Sequence, residues 1–453
     1  MAFPAERVPP VAGSPELPIA AIPAAEAAAA DPQPATHMSG REWAVVALLV
    51  VSALINYVDR SDLSIAAPVI QKQFALTPVQ LGALLAAFFW TYALPQLLGV
   101  AGWLSDRFAA GWVILWGYVL WSLATLATGL TAGFATLFAM RLVLGVGESV
   151  AYPCYSRIFA LMPQQCRGRA NAFIDAGTKL GPAVGAFLGG VLLIRMGWRM
   201  LFVVLGLGGM LWVLPWWKMM PRTGAAAEQK EAAPVTSLGR ILRLRCAWGT
   251  FIGHFCGNYF YYFLLAWLPE FLVEEEHLSI GSMSRLTTLV FLLIGGTTLI
   301  TGWISDRLIA RGVSPTRVRK SVVTGGLLLA GSLLLLGVLP AESSAAGLVV
   351  LAVASVGYGA FSSNHWAITQ TLAGPAMAGR WSGLQNGFAN LSGVVAPWVA
   401  GWIAQEKGSS RMAFVVSGAV ALTGALAWGL LVSRVEAVTL ERTGRSAKTL
   451  QES

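Results

Sequence analysis

Apolar residues gather into runs of about 20, long enough to cross a bilayer as helices, and short polar stretches separate them. Twelve such runs are read along the chain, near 43–66, 79–101, 112–131, 133–161, 170–194, 199–219, 246–272, 284–304, 319–340, 345–370, 381–404 and 412–433. An even number of crossings puts both termini on one side. The second run leads into Gly102-Trp103-Leu104-Ser105-Asp106-Arg107, and 200 residues later the eighth leads into Gly302-Trp303-Ile304-Ser305-Asp306-Arg307. The repeat unit is therefore about half the chain. Two similar halves in a membrane suggest a transporter whose site lies between them.

Composition agrees. Hydrophobic residues make up 56% of the 453 positions and charged residues 12%, with a mean hydropathy of +0.65, against about 25% charged in a soluble domain. With both termini assigned to the cytoplasm, 21 of the 31 Lys and Arg fall in cytoplasmic segments, six in outer loops (Lys72, Arg195, Arg199, Arg285, Lys407, Arg411) and four inside spans. That distribution follows the positive-inside rule. The net charge of +9 is then explained by topology and anionic lipid rather than by nucleic acid, and a multi-pass protein of the inner (plasma) membrane, working as a monomer, is expected. The outer run Glu274-Glu275-Glu276 reads as a solvated acidic loop.

The chain divides into a Pro- and Ala-rich cytoplasmic tail over 1–40, a six-helix half over 41–220, a polar linker over 221–245, a second six-helix half over 246–434 and a charged tail over 435–453. The first tail is expected to be disordered, and it lacks the basic start and apolar core of a secretory signal. Cys154, Cys166, Cys246 and Cys256 show no metal spacing and read as packed or lipid-facing thiols. No nucleophile, metal or phosphate motif is present, so neither an enzyme nor a cofactor is expected.

Charges inside spans carry the functional signal, since each costs about 2.5–3.5 kcal/mol at mid-membrane. Span one holds Asp59, Arg60 and Asp62, span four Arg141, Glu148 and Arg157, and span five Asp175 and Lys179. The second half offers uncharged polar groups instead: Asn258 and three tyrosines in span seven, Asn364 and His365 in span ten, and Gln385, Asn386 and Asn390 in span eleven. Arg141 and Glu148 lie on one helix face about 10 Å apart, too far to pair, so each needs a partner from another helix or from a ligand. Asp59 and Arg60, being adjacent, point in different directions. Arg157 is expected to pair with Asp106 near the cytoplasmic end. Lys179 either faces the central cavity or pairs with Asp175, four residues earlier on the same face. His254 and His365 read as packing residues, with proton sensing as the alternative.

These residues resemble a known family. The loop at 102–107 is similar to the signature Gly-x-x-x-Asp-Arg-x-Gly of the major facilitator superfamily, although Ala109-Ala110-Gly111-Trp112 lacks the basic pair that usually follows. Within it, Asn56-Tyr57-x-Asp59-Arg60, Phe88-Phe89-Trp90-Thr91-Tyr92 with Gln96, Arg141-x6-Glu148-x4-Pro153, and Asn364-His365 followed by Asn386-x3-Asn390 resemble the anion:cation symporters of sugar acids and organic anions. The resemblance covers 43–433. It implies an all-α membrane fold of twelve helices in two pseudo-symmetric halves, alternating access, a small organic anion and a proton as the ligands, and the proton gradient as energy source. Arg60 and Arg141 would hold the substrate carboxylate through their bidentate forks, Asp59 and Glu148 would carry the proton, and Tyr57, Tyr92 and Asn386 would bond hydroxyls, with Gln96, Asn258 and Lys179 beside them. Asp106, Arg107, Arg157, Asp306 and Arg307 would govern gating.

Two departures bear on the substrate. Asn258 stands about where animal glutamate carriers have an arginine, which disfavours a glutamate-like cargo. Lys179 in Gly177-Thr178-Lys179-Leu180-Gly181 adds a positive charge where sugar-acid carriers tend to place a glutamine, which admits a second acidic group. The rival reading is a proton-coupled exporter, because Gly177-x3-Gly181-Pro182-x2-Gly185 is close to an antiporter motif. Small residues at this spacing also let helices approach closely.

Overall fold

The computed structural model describes residues 38–160, 162, 164–221, 238–336 and 344–438. Nearly all of the expected tails and most of the linker lie outside them. The helices, in chain order, are α1 (Gly40–Phe74), α2 (Pro78–Leu97), α3 (Val100–Arg107), α4 (Ala110–Thr128), α5 (Phe134–Ser149), α6 (Ala151–Ala160), α7 (Gln164–Met210), α8 (Val213–Met219), α9 (Leu238–Leu242), α10 (Arg245–Glu274), α11 (Ile280–Ala310), α12 (Pro315–Leu336), α13 (Ser344–Lys407) and α14 (Arg411–Leu426). No strand occurs among the described residues.

Ten stretches of the described chain are long and apolar enough to cross a membrane, against twelve runs expected. One of the ten, Arg169–Met219, is bent at Gly197, where φ is +76°, so it joins two of the expected runs. A left-handed glycine is the residue that permits such a turn at little cost. The other is α10, which is not among the ten. His254, Asn258, Tyr259, Tyr261 and Tyr262 lower its hydropathy, yet all but Asn258 of these are buried; a helix that turns polar groups to the protein interior rather than to lipid can carry them.

Local chemistry explains where helices begin and break. Ser39 with Glu42 and Thr77 with Gln80 form capping boxes at the starts of α1 and α2, each satisfying backbone donors that the first turn leaves orphaned. The second run ends earlier than its counterpart. α2 carries Pro95 and gives way to α3 at Gly99, which has φ +72°, whereas α11 continues unbroken from Ile280 to Ala310, with Gly295 where a match to Pro95 would fall. Proline removes a helical hydrogen bond and crowds the preceding turn. The repeated hexads, expected as loops, are helical in both places, and they agree in environment: Trp103 and Trp303 are both 57% exposed, while Ser105 and Ser305 are both buried.

The halves meet where α1 packs on α10, α2 on α13 and α7 on α11. At the end away from the termini these contacts are tight. A Cβ on Gly82 would lie 2.6 Å from the Pro397 carbonyl oxygen, and Lys72 Nζ reaches Glu274 Oε1 at 2.6 Å. The acidic run is not a free loop, contrary to expectation. Glu275 accepts from Ser409 Oγ at 2.7 Å and Ser410 Oγ at 2.6 Å, and Glu276 accepts from Arg411 at 3.1 Å. It ties α10 to the start of α14, because the outer cations counted from sequence are its spatial neighbours.

Within the first half, the glycines of the antiporter-like run all face α1. A Cβ on Gly177 would meet Val50, one on Gly181 Tyr57, and one on Gly185 both Ser61 Oγ and the Val58 backbone. Gly185→Val should therefore destabilise by about 1–3 kcal/mol through overpacking, read as a lowered melting temperature in detergent. At Gly189 a Cβ would meet only Ile65 at 3.4 Å. Gly189→Ala should be neutral or stabilising, since Ala favours a helix by about 1 kcal/mol.

Candidate functional site

Between α1 and α5 the buried charges converge. Arg60 Nε donates to Glu148 Oε2 at 2.9 Å, and the two side chains are 1% and 0% exposed. Glu148 thus finds its partner on another helix, as the spacing from Arg141 required. The guanidinium of Arg60 lies over three rings, 4.5 Å from Tyr57, 4.9 Å from Phe88 and 4.3 Å from Tyr92. Such a box of aromatic faces stabilises a desolvated cation. Its two terminal nitrogens, Nη1 and Nη2, are buried and have no hydrogen-bond partner among the described residues. One edge of the fork is held by Glu148 while the other is free.

Arg141 sits beside this pair. Its Nη1 donates to the Asp59 carbonyl at 3.3 Å, its guanidinium lies 5.4 Å from the Phe88 ring, and its Nε is buried with no partner among the described residues. Asp59, Asp62 and Glu148 are all within its electrostatic reach. Asp62, to which sequence reasoning gave no role, has both carboxylate oxygens buried and without a hydrogen-bond partner among the described residues. Its only signal was one more carboxylate in span one. Two arginines and three carboxylates thus share one buried cluster, an arrangement in which unpaired charge is penalised.

A backbone defect links this cluster to the second half. Pro153 has no N–H, so the Ser149 carbonyl four residues earlier loses its helical donor, and α5 stops at Ser149 before α6 begins. Gln96 Nε2 supplies a bond to that carbonyl at 3.4 Å, and Gln96 Oε1 accepts from Asn386 Nδ2 at 3.1 Å. Two of the expected substrate residues are thereby joined across the interface. Nearby, Tyr262 donates to Asn390 Oδ1 at 2.8 Å and its ring lies 4.4 Å from Phe89. Asn258 is half-buried on α10, one turn from His254 and from Tyr262.

Lys179 does not pair with Asp175. Among the described residues it forms no ion pair, and its Nζ lies 5.7 Å from the Tyr261 ring in the other half. Gly295 on α11 faces it, where a Cβ would make an ordinary contact with the Lys179 Cβ at 3.5 Å. His254 and His365, read as packing residues, lie against each other. Their rings are 4.5 Å apart, a contact that no sequence spacing signals because they sit on α10 and α13.

In the repeated loops Arg107 lies over Phe108 and Arg307 over Trp303, at 5.8 and 4.3 Å, and Asp306 is exposed. The Asp106 side chain is outside what is described, and with it the expected contact to Arg157. Ser305 accepts from Asn364 at 3.0 Å, fastening the second loop to α13. No group of His, Cys, Asp and Glu among the described residues is arranged to hold a metal.

Comparison with known proteins shows the family. A profile of the Major Facilitator Superfamily matches residues 49–397 and 317–452. The chain is 29% identical over 440 residues to the probable galactarate/D-glucarate transporter GudP of Bacillus subtilis (strain 168), covering 90% of this chain and 96% of that protein. It is 30% identical over 426 residues to the D-galactonate transporter of Escherichia coli O6:H1, covering 88% and 97%. The crystal structure of a bacterial homolog to the human lysosomal transporter Spinster, inward-facing and unoccupied, superposes with a TM-score of 0.74 at 18% identity over 87% of this chain and 98% of that one. With a profile match over most of its length and these relatives, the chain belongs to the major facilitator superfamily, among its sugar-acid and organic-anion transporters, and is a multi-pass membrane transporter rather than an enzyme.

Proposed function

We propose that this protein takes up a sugar acid, an aldonate, aldarate or uronate, together with a proton by alternating access. The observation that carries the reading is the buried Arg60–Glu148 pair with the Arg60 terminal nitrogens left unpartnered. Protonation of Glu148 removes the competing anion and frees the whole fork for a substrate carboxylate, which binds it bidentately. Arg141 takes the same carboxylate from the α5 side, and Asp59 provides a second protonable group close to it. Tyr57, Tyr92 and the Gln96–Asn386 bridge read hydroxyls, because polar groups left unpaired in a dry site penalise a cargo without them. The names of the relatives, which describe galactarate, D-glucarate and D-galactonate transporters, support the substrate class. Basic residues on the terminal side support the inner membrane with cytoplasmic termini. Gating falls to the two repeated hexads, through Asp106, Arg107, Asp306 and Arg307, together with Arg157.

The export reading rests on the glycine run of α7, and those glycines serve the α1 contact. Growth separates the two directions. Expression in a host that lacks sugar-acid uptake but retains the catabolic enzymes should restore growth on at least one of a panel of aldonates, aldarates and uronates. Growth on none, with resistance to an added compound instead, would favour export.

A further inference from the structure

The break after α2 leaves a furrow on the outer wall of the first half. α3 starts afresh at Gly99 and packs on α4 and α6. Between these helices runs an open cavity of about 500 Å³, walled by Leu104 and Phe108, by α4 from Trp112 to Leu120, and by Val146 and Val150. Its floor is backbone, because α4 and α5 cross at two glycines. A Cβ on Gly117 would lie 2.8 Å from the Gly147 carbonyl oxygen, and one on Gly147 would lie 2.9 Å from that of Gly117. Along α4 the furrow extends about 12 Å, eight residues at the helical rise, and apolar side chains and glycines alone line it.

The furrow opens sideways, since Trp116, Leu120 and Val146 are exposed in spans whose outer faces meet hydrocarbon. Left empty, it would forfeit dispersion contacts along both walls, and at that depth the matter available to fill it is an acyl chain. Such a chain gains little by leaving its neighbours, because lipid tails are as apolar as the wall. Selection therefore falls to the head group. At the end nearer the termini the Arg107 guanidinium lies 5.8 Å from the ring of Phe108, which lines the furrow. Arg107 is exposed and forms no ion pair among the described residues. A second cation, Lys218, follows Trp217, whose ring lies 5.0 Å from that of Trp112. Trp216 Nε1 donates to the Gly111 carbonyl at 3.0 Å and fixes α8 against the start of α4. Trp103, Trp112 and Trp217 supply the indoles that settle at a membrane interface.

We propose that this furrow holds one anionic phospholipid, with an acyl chain lying along α4 between Trp112 and Leu120, its phosphate on Arg107 and Lys218 as the second cation for its head group. A guanidinium offers the phosphate a planar fork, and juxtamembrane cations favour lipids of net negative charge. A zwitterionic head group brings its own cation, which Arg107 and Lys218 repel.

Native mass spectrometry of the purified full chain, titrated with phosphatidylglycerol and with phosphatidylcholine of identical acyl chains, tests the site. The wild type should retain one phosphatidylglycerol about tenfold or more tightly than phosphatidylcholine. Arg107→Gln should lower that preference about fivefold, the change that one cation at a membrane surface gives, by weakening phosphatidylglycerol alone. Arg107→Lys should keep most of it. Val146→Trp, which fills the furrow from its lipid-facing rim, should reduce retention of both lipids at an unchanged melting temperature. Equal retention of the two lipids by the wild type, or a preference unmoved in Arg107→Gln, overturns the site. Retention that ignores Val146→Trp overturns it as well, since the lipids are then annular only.

Discussion

Glu148→Gln is expected to leave exchange of substrate across the membrane intact while abolishing accumulation against a gradient. The side chain keeps its size in a site where Glu148 is fully buried against Arg60, so packing is preserved. The change is in charge. A carboxylate holds Arg60 Nε when ionised and releases it when protonated, and an amide imitates the released state at every pH. Substrate can then load and unload, but the proton that Glu148 carries no longer accompanies it. A proton entering with a monovalent anion moves no net charge, so the pH difference drives the uptake: each unit supplies about 1.4 kcal/mol, equivalent to about tenfold accumulation, and all of that should disappear. Counterflow in proteoliposomes loaded with unlabelled substrate reads the exchange, and uptake under an acid-outside gradient reads the coupling. Accumulation that persists in the variant would remove Glu148 as the proton carrier.

Arg141→Lys is expected to weaken substrate binding by about ten- to a hundredfold although the charge is kept. The guanidinium reaches the Asp59 carbonyl through Nη1, lies near the Phe88 ring, and leaves Nε buried and free. A lysine ammonium is a point charge without the planar fork, so it cannot keep the α1 contact and grip a carboxylate in two places. Charged hydrogen bonds are worth about 1.5–3 kcal/mol each, which sets the size of the loss. Titration calorimetry in detergent measures it, with the variant's melting temperature as a check on folding. Undiminished affinity would contradict bidentate recognition by Arg141.

The elements that face lipid were legible because lipid imposes one rule, an apolar run of fixed length. Where a helix faces protein, the rule lapses. α10 carries buried His254, Tyr259, Tyr261 and Tyr262 and falls outside the apolar spans, although the sequence reading placed a span there from its length. The breaks at Gly99 and at Ser149 were likewise hidden inside apolar runs, and only Pro95 and Pro153 hinted at them.

Pairing across helices was legible as a requirement but not as an identity. The two-turn separation of Arg141 and Glu148 demanded outside partners, yet nothing in the chain says that the partner of Glu148 stands 88 residues away at Arg60. The same holds for His254 with His365 and for Gln96 with Asn386, each brought together only by the packing of one helix on another. Opposite charges four residues apart suggested a Lys179–Asp175 pair, and the acidic run suggested a free loop. In both cases tertiary neighbours outweighed chain neighbours: Lys179 turns to Tyr261 and the glutamates turn to Lys72, Ser409, Ser410 and Arg411.

The coupling of proton and anion through Arg60 and Glu148 is tested most directly in proteoliposomes that carry the wild-type protein and are given labelled galactarate or D-galactonate with the outside made acidic. The account predicts accumulation of label above the external concentration, collapsing when a protonophore dissipates the gradient. Uptake that proceeds to the same level with and without the proton gradient would contradict it.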